Sequence, residues 1–490
     1  MTQTLTDFRT FELFIGGTYR PASAGSYEVI NPSTEEVVGL APEASLDDVR
    51  LAVDAARTAQ PGWAALPQAE RVRFLEAFAV RLEEEHGVLA SLLAAEMGAA
   101  AEGTAGMNVA MAVKAFRVNA RLGQQDLGET YSPRPGIKDR ALFGVTKLKP
   151  VGVVAIITAY NAPYVNFSSM AGPALLTGNT VVVKPAPQDP LGVLELGRIA
   201  EEAGIPAGVI NVVNGRNPEI GRELVRHPGV DGVGFTGSPA VGVEIATSCA
   251  QSLKPLLLEL GGKGACLVLE DADLDRAVEV LSLTWTFNSG QICGAPSRAI
   301  VHSSLKDELV ARLTTLAESL KVGPSHDPAA VMGPIISAQH RERFEGFIAS
   351  AVQEGATLAT GGKRPDLEPG FYAAPTLVTD CTPDMKIIRE EVFGPVIALM
   401  TFETDDEAVA LANDSDYGLV NYVVSSNLAR ASALAEQLVS GLVNINGWQG
   451  GGNGIEEMPF GGRKLSGFGR KGGRHAIAAF TEPLGITINS

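Results

Sequence analysis

Over the first forty residues the apolar positions fall in short runs broken by Gly and Pro, and FELFIGG, YEVINPST and EEVVGLAP read as strands joined by turns. From Leu46 to about Val118 the texture changes to Ala, Leu, Glu and Arg at helical spacing. In SLDDVRLAVDAARTA, Ser45 and Asp48 make a capping box at a helix start. These helices are placed to wrap a sheet formed later in the chain.

The next block alternates: VGVVAIITAY, SSMAGPALLTGN, TVVVKPA, LGVLELGRIAEEAG, VINVVNG. Val and Ile runs of about 4–8 residues with no polar face, separated by helical stretches of about 10–15, predict a parallel sheet buried on both sides. The fold class is α/β, with a doubly wound nucleotide-type domain over about 149–261. A second alternation opens at ACLVLEDADLDRAVEVL, continues through SRAIVHSSLKDELVARLTTLAESL and runs to about Phe460, which predicts a second α/β domain. No repeat of fixed period and no low-complexity linker interrupts the pattern.

A length of 490 residues adds the expectation of about three structural units. Charge then narrows the partners. The 39 Lys and Arg against 56 Asp and Glu leave a net charge of −17, which repels phosphate backbones and anionic lipid, so neither nucleic acid nor membrane is expected. The locally basic run GGRKLSGFGRKGGRH suggests an anion or nucleic-acid contact, a reading that the net charge of −17 argues against. Cys249, Cys266, Cys293 and Cys381 are too few and too scattered for a disulfide framework or a C-x-x-C metal site, so no metal is expected and a reducing cytoplasm fits. Asp7 and Arg9 interrupt any leader-like apolar stretch, and no later stretch reaches the roughly 18–20 apolar residues that span a bilayer. The expectation is a soluble cytoplasmic protein without a removable leader.

Candidate chemistry gathers at three places. After Asp231, Gly232, Gly234 and Gly237 are spaced as G-x-G-x-x-G, with Glu259 about twenty residues further on. This is either a dinucleotide fingerprint or a Gly-rich turn before the helix SPAVGVEIATSCA with Ser238 as its cap. In both cases a helix N-terminus suits a pyrophosphate. Cys293 lies in FNSGQICGAPSR, a small-residue loop that can expose a thiol; the alternative is a buried small hydrophobe, as Cys249 and Cys266 read. The six histidines (86, 227, 302, 326, 340 and 475) sit in polar contexts that offer Cys293 no evident partner. Glu259, at the end of the apolar PLLLE, is either a base with a raised pKa or the partner of Lys263.

Taken together, AYNAP around Asn161, VVVKP around Lys184, GFTGS at 234–238, ELGGK at 259–263, GQICGAPSR around Cys293, EVFGPV at 391–396, GLVNIN at 441–446 and PFGGRKLSGFGR at 459–470 resemble the aldehyde dehydrogenase superfamily over nearly the whole chain. The resemblance implies a Rossmann-like NAD(P)-binding domain (1–128 and 149–261), a catalytic domain (262–461) and a small β oligomerisation arm (129–148 and 462–490). A homodimer or homotetramer would follow. It also implies that Cys293 attacks an aldehyde to give a thiohemiacetal and then a thioester. The side-chain amide of Asn161 and the backbone N–H of Cys293 would hold the oxyanion, and Glu259 would be the base that activates water, giving a free acid rather than a coenzyme A thioester.

For the cofactor, the same resemblance gives Lys184 to the adenine ribose, Gly237 and Ser238 to the pyrophosphate, Glu391 to the nicotinamide ribose and Phe393 to the nicotinamide ring, with Thr158 and Tyr160 beside them. NAD is the first expectation. NADP is admitted because Pro187 stands where many NAD-preferring relatives carry a glutamate. Tyr160 replaces the common tryptophan before the asparagine. Tyr164, Val165, Ser169, Phe287, Ile292 and Trp448 should line the substrate tunnel. Their apolar and aromatic character suggests a medium-sized hydrophobic or aromatic aldehyde. Alternatives are a semialdehyde dehydrogenase, a catalytically silent relative and a thiol esterase.

Overall fold

The Val and Ile runs without a polar face form the interior of an eight-stranded sheet, where both faces are covered and alternation would serve nothing. The computed structural model describes residues 9–132, 141–448 and 457–489, so Asp7 and residues 133–140 of the expected arm lie outside the described residues. Across the sheet the order is Gly467–Phe468, Leu256–Glu259, Gly232–Thr236, Val153–Ile157, Thr180–Lys184, Ile210–Val212, Leu13–Ile15 and Thr18–Arg20. The five strands from Leu256–Glu259 to Ile210–Val212 run parallel. Val154 and Ile156 pack with Phe167 and Met170 of the helix Pro163–Leu176. Val153 and Ala155 point the other way, onto Val49, Ala52 and Val53 of the helix Leu46–Ala65. That helix starts at the expected capping box: Ser45 Oγ accepts from Asp48 N at 3.2 Å and Asp48 Oδ2 accepts from Ser45 N at 2.8 Å.

The chain enters this sheet's parallel part at Val153–Ile157, moves to Thr180–Lys184 and Ile210–Val212 on one side, then returns to Gly232–Thr236 and Leu256–Glu259 on the other. The order therefore reverses between Val153–Ile157 and Gly232–Thr236, and a crevice opens beyond the carboxyl ends of those two strands. The G-x-G-x-x-G reading fails as a loop, because Gly232 and Gly234 lie within the strand and only Gly237 follows it. Gly234 is needed for close packing instead: a Cβ there would stand 2.6 Å from Met170 Sδ.

A second sheet has seven strands in the order Thr357–Thr360, Thr376–Thr379, Val396–Phe402, Arg298–His302, Ala265–Val268, Val420–Val424 and Leu442–Ile445. All its neighbours are parallel except the edge pair Thr357–Thr360 and Thr376–Thr379. The segment ELGGK carries the chain from the last residue of Leu256–Glu259 to Ala265 in the second sheet, which puts Glu259 at the seam between the two. In a third, smaller sheet Thr481–Asn489 runs antiparallel to Ala141–Pro150, which also pairs with Thr130–Tyr131. Among the described residues no helix is long and apolar enough to cross a membrane.

Candidate active site

Beyond the carboxyl ends of the strands flanking the reversal lies a cavity of about 1030 Å³ that continues across the seam to the second sheet. Lys184 ends its strand, Thr158 follows one and Gly237 and Ser238 follow another, and all four line this cavity. Ser238 is the N-cap residue of the helix Pro239–Ala250, yet its side chain makes no capping hydrogen bond. Its hydroxyl and the open helix amides are left for an anion. Thr158 Oγ1 is buried with no partner among the described residues. Lys184 Nζ donates to Pro185 O at 3.2 Å, and burial lowers its pKa to about 8 against the opposing pull of the Glu43 carboxylate. An unused cap, an unpartnered hydroxyl and a buried amine are a donor set that fits the pyrophosphate and ribose hydroxyls of a dinucleotide.

Further along the cavity, Glu391 Oε1 accepts from Gly262 N at 2.9 Å. Burial raises this carboxyl to about 7, while the Gly262 N–H, Lys263 and Arg343 pull it down. Phe393 adopts φ 57°, and its ring meets Tyr160 edge-on at 5.8 Å. Tyr160 thus keeps an aromatic contact where a tryptophan is common, and its hydroxyl donates to Gln291 Oε1 at 3.3 Å.

Cys293 sits in the loop between Leu274–Thr286 and Arg298–His302. Before it, Asn288, Ser289 and Gly290 occupy the left-handed region at φ 51°, 53° and 75°. Gln291 Nε2 holds this turn by donating to Asn288 O at 3.0 Å, and Asn288 Nδ2 reaches Asn161 O at 3.4 Å. The ELGGK glycines pack directly against the site. A Cβ on Gly262 would lie 2.1 Å from Cys293 O, and one on Gly261 would lie 2.2 Å from Glu391 Oε2.

These contacts bring Cys293 Sγ to 4.0 Å from Glu259 Oε2, with the Asn161 side chain lining the same cavity. Cys293 is partly exposed, unlike the buried Cys249, Cys266 and Cys381. Burial pushes its thiol well above the usual range and the Glu259 and Glu391 carboxylates add to this, with Lys471 opposing. Burial also raises Glu259, offset by Lys471 and by the Cys293 contact. The alternative pairing of Glu259 with Lys263 is not formed: Glu259 pairs with Lys471 at 3.4 Å, while Lys263 is buried near Arg298 and Glu391. A thiol in contact with a carboxylate can lose its proton to it, and the same carboxylate can then serve a water.

Val165, Ser169, Phe287, Ile292 and Trp448 line the cavity near Cys293, with the Phe287 and Trp448 rings 4.9 Å apart. Tyr164 does not. Its hydroxyl donates to Leu89 O at 3.0 Å, and its ring fills space that only a glycine at 192 leaves open, since a Cβ there would be 2.0 Å from Tyr164 Oη. Val165 and Ser169 are four residues apart and share a helix face; Tyr164 is rotated off that face into the helical core. Sequence reasoning also missed Lys471, Asn166, Thr236, Arg343 and Phe460, all of which line the cavity. The signal for Lys471 was present in the basic Gly-rich run, but that run pointed to a surface rather than to a buried amine.

A sequence model of the Aldehyde dehydrogenase family matches residues 19–484. The chain is 40% identical over 481 residues, 98% of its length and 95% of the relative's, to a mitochondrial aldehyde dehydrogenase of Leishmania tarentolae. It is 39% identical over 483 residues, covering 97% of this chain and 95% of the relative, to the peroxisomal aminoaldehyde dehydrogenase 1 of Pisum sativum. The solved structure of betaine aldehyde dehydrogenase from Staphylococcus aureus in complex with NAD+ superposes with a TM-score of 0.93 at 34% identity, covering 98% of this chain and 95% of that one. Since the likeness in sequence and in fold runs essentially from end to end, the chain belongs to the aldehyde dehydrogenase family.

Proposed function

We propose that the protein oxidises a small aldehyde to its carboxylic acid with NAD, and with NADP as a second dinucleotide, through a thioester on Cys293. The contact between Cys293 Sγ and Glu259 at the seam of the two sheets carries this reading. Lys184, Gly237, Ser238, Thr158 and Tyr160 would hold the dinucleotide up to Glu391 and Phe393, all of which line one continuous cavity. Bound there, the oxidised nicotinamide supplies the hydride acceptor. The thiol of Cys293 loses its proton toward Glu259, and its sulfur bonds to the aldehyde carbon. The resulting oxyanion needs fixed donors, worth about 3–4 kcal/mol each by analogy with other acyl-transfer sites. The Asn161 amide and the Cys293 N–H supply them. Once the carbon has given up its hydride, leaving the thioester, and the thiol proton has passed from Glu259 to solvent, Glu259 takes a proton from the water that releases the acid. Because Glu259 is present, hydrolysis is favoured over release to coenzyme A.

For the substrate, the names of the relatives support small aminoaldehydes and betaine aldehyde in place of the hydrophobic or aromatic aldehyde suggested by the tunnel's apolar lining. The chemistry of the tunnel accommodates the change, since the paired Phe287 and Trp448 rings offer π-faces that attract an ammonium group. The thiol residues are all free, which supports a reducing compartment such as the cytoplasm. The test is kcat/KM from NAD(P)H absorbance with NAD and NADP over aminoaldehydes, betaine aldehyde, a succinate-like semialdehyde and aliphatic and aromatic aldehydes. The proposal expects an aminoaldehyde or betaine aldehyde with NAD to rank first. A semialdehyde preferred about a hundredfold, or activity without any dinucleotide, overturns it.

A further inference from the structure

We propose that Lys471 is a positioning residue that fixes the Glu259 carboxylate for the water-attack step; the inference rests on the aldehyde-oxidising reading above. Lys471 is delivered by the C-terminal segment, whose backbone is locked by reciprocal bonds, Phe460 N to Lys471 O at 2.9 Å and Lys471 N to Phe460 O at 2.7 Å. Gly469 and Gly472 flank it at φ 84° and 86°, and a Cβ on Gly472 would come within 2.4 Å of Met458 O. The side chain then runs inward, 8% exposed. Its ammonium meets Thr236 Oγ1 at 3.1 Å, Asn166 Oδ1 at 3.4 Å and Glu259 Oε2 at 3.4 Å. An ammonium has three N–H donors, and three acceptors from three different elements receive them. A buried cation held this completely has a fixed place rather than a range of rotamers.

The consequence falls on Glu259. Its Oε2 is pinned by Lys471 and touched by Cys293, whereas Oε1 is buried with no partner among the described residues. The charged groups facing Glu259 are Lys471, Cys293 and Glu391, and Lys263 and Arg343 act in turn on Glu391. Lys471 is the cation in contact with the carboxylate, so it also favours the ionised form that a base requires. In the step concerned, the water oxygen bonds to the acyl carbon on Cys293 and Glu259 takes one water proton. The C–S bond breaks with its electron pair on Sγ, and the proton held by Glu259 returns to the sulfur.

Lys471→Met, Lys471→Gln and Lys471→Arg, made in the full chain, test this by steady-state and stopped-flow NAD(P)H formation with an aldehyde that wild type turns over. Loss of the ammonium should lower kcat about 10–100-fold with little change in KM for the aldehyde. A burst of one NAD(P)H per site should appear as acyl release becomes limiting. The acid limb of kcat should move upward by about one pH unit, because the carboxylate has lost its counter-charge. Lys471→Arg should restore most of kcat and the original limb. Wild-type kcat and pH profile in Lys471→Met or Lys471→Gln overturn the proposal, as does an equal loss in all three variants with no burst and no shift of the limb. A wild type inactive on every aldehyde overturns the underlying reading and this one with it, whereas an active wild type with unaffected variants overturns this one alone.

Discussion

At the scale of single residues, the site depends on how closely backbone approaches backbone at the seam. Gly262 has no room for a methyl group: its Cβ would lie 2.1 Å from the carbonyl oxygen of Cys293. Gly262→Ala should therefore cost about 1–3 kcal/mol of stability by overpacking and lower activity by displacing Cys293, which thermal melts and NAD(P)H formation would read together. Local pattern left Cys293 and Glu259 with two readings each, a loop thiol or a buried small hydrophobe and a base or a Lys263 partner, and Asn161 came from the family resemblance alone, because its neighbourhood in the cavity is set by residues distant in sequence. The places of Lys471 and Tyr164 were not legible. Lys471 meets Glu259 across 212 positions of sequence, which no local pattern encodes. Tyr164 adjoins true cavity residues in the chain but leaves the helix in another direction, which spacing alone shows only once the inward face is known.

At the scale of elements, the strands were the most legible part, since runs without a polar face have few alternatives to a sheet covered on both sides. The capping box at Ser45 was equally plain, because both partners lie within one turn. The cap of the helix Leu191–Glu202 was hidden, because it comes from another helix: Glu96 accepts from Leu191 N at 2.6 Å and Gly192 N at 3.0 Å. Burial raises the Glu96 carboxyl to about 8, although these two amides favour its charge. In the unfolded chain the same group titrates in the ordinary carboxylate range, so between that range and about pH 8 the folded state holds a proton that the unfolded state releases. The contribution is complete at low pH and is lost as pH rises through about 8. Melting temperatures of wild type should fall over this window more steeply than those of Glu96→Gln; parallel curves would show that Glu96 does not carry the proton.

At the scale of the whole molecule, the reversal of strand order places the crevice, and the ELGGK crossing places Glu259 at its far end, so Glu259 and Cys293 line one cavity where two sheets adjoin. Sequence alternation announced both sheets, but not that Gly467–Phe468 from the C-terminal segment would pair with Leu256–Glu259. The third sheet exposes Phe143, Leu484, Ile486 and Ile488, apolar side chains on strands at 141–150 and 481–489. We propose that this sheet joins copies into a homodimer or homotetramer. Removing residues 481–490 should lower the molar mass measured by light scattering, and an unchanged mass would assign assembly elsewhere. The central claim, that Cys293 carries the acyl group and Glu259 releases it, is tested most directly by the intact mass of Glu259→Gln after mixing with aldehyde and NAD. The account predicts one acyl adduct per chain, formed more slowly than acylation in wild type because the thiol has lost its proton acceptor, mapped to the Cys293 peptide and absent from Cys293→Ala. NAD(P)H formation by a folded Glu259→Gln with no adduct, or with the adduct on another residue, would contradict it.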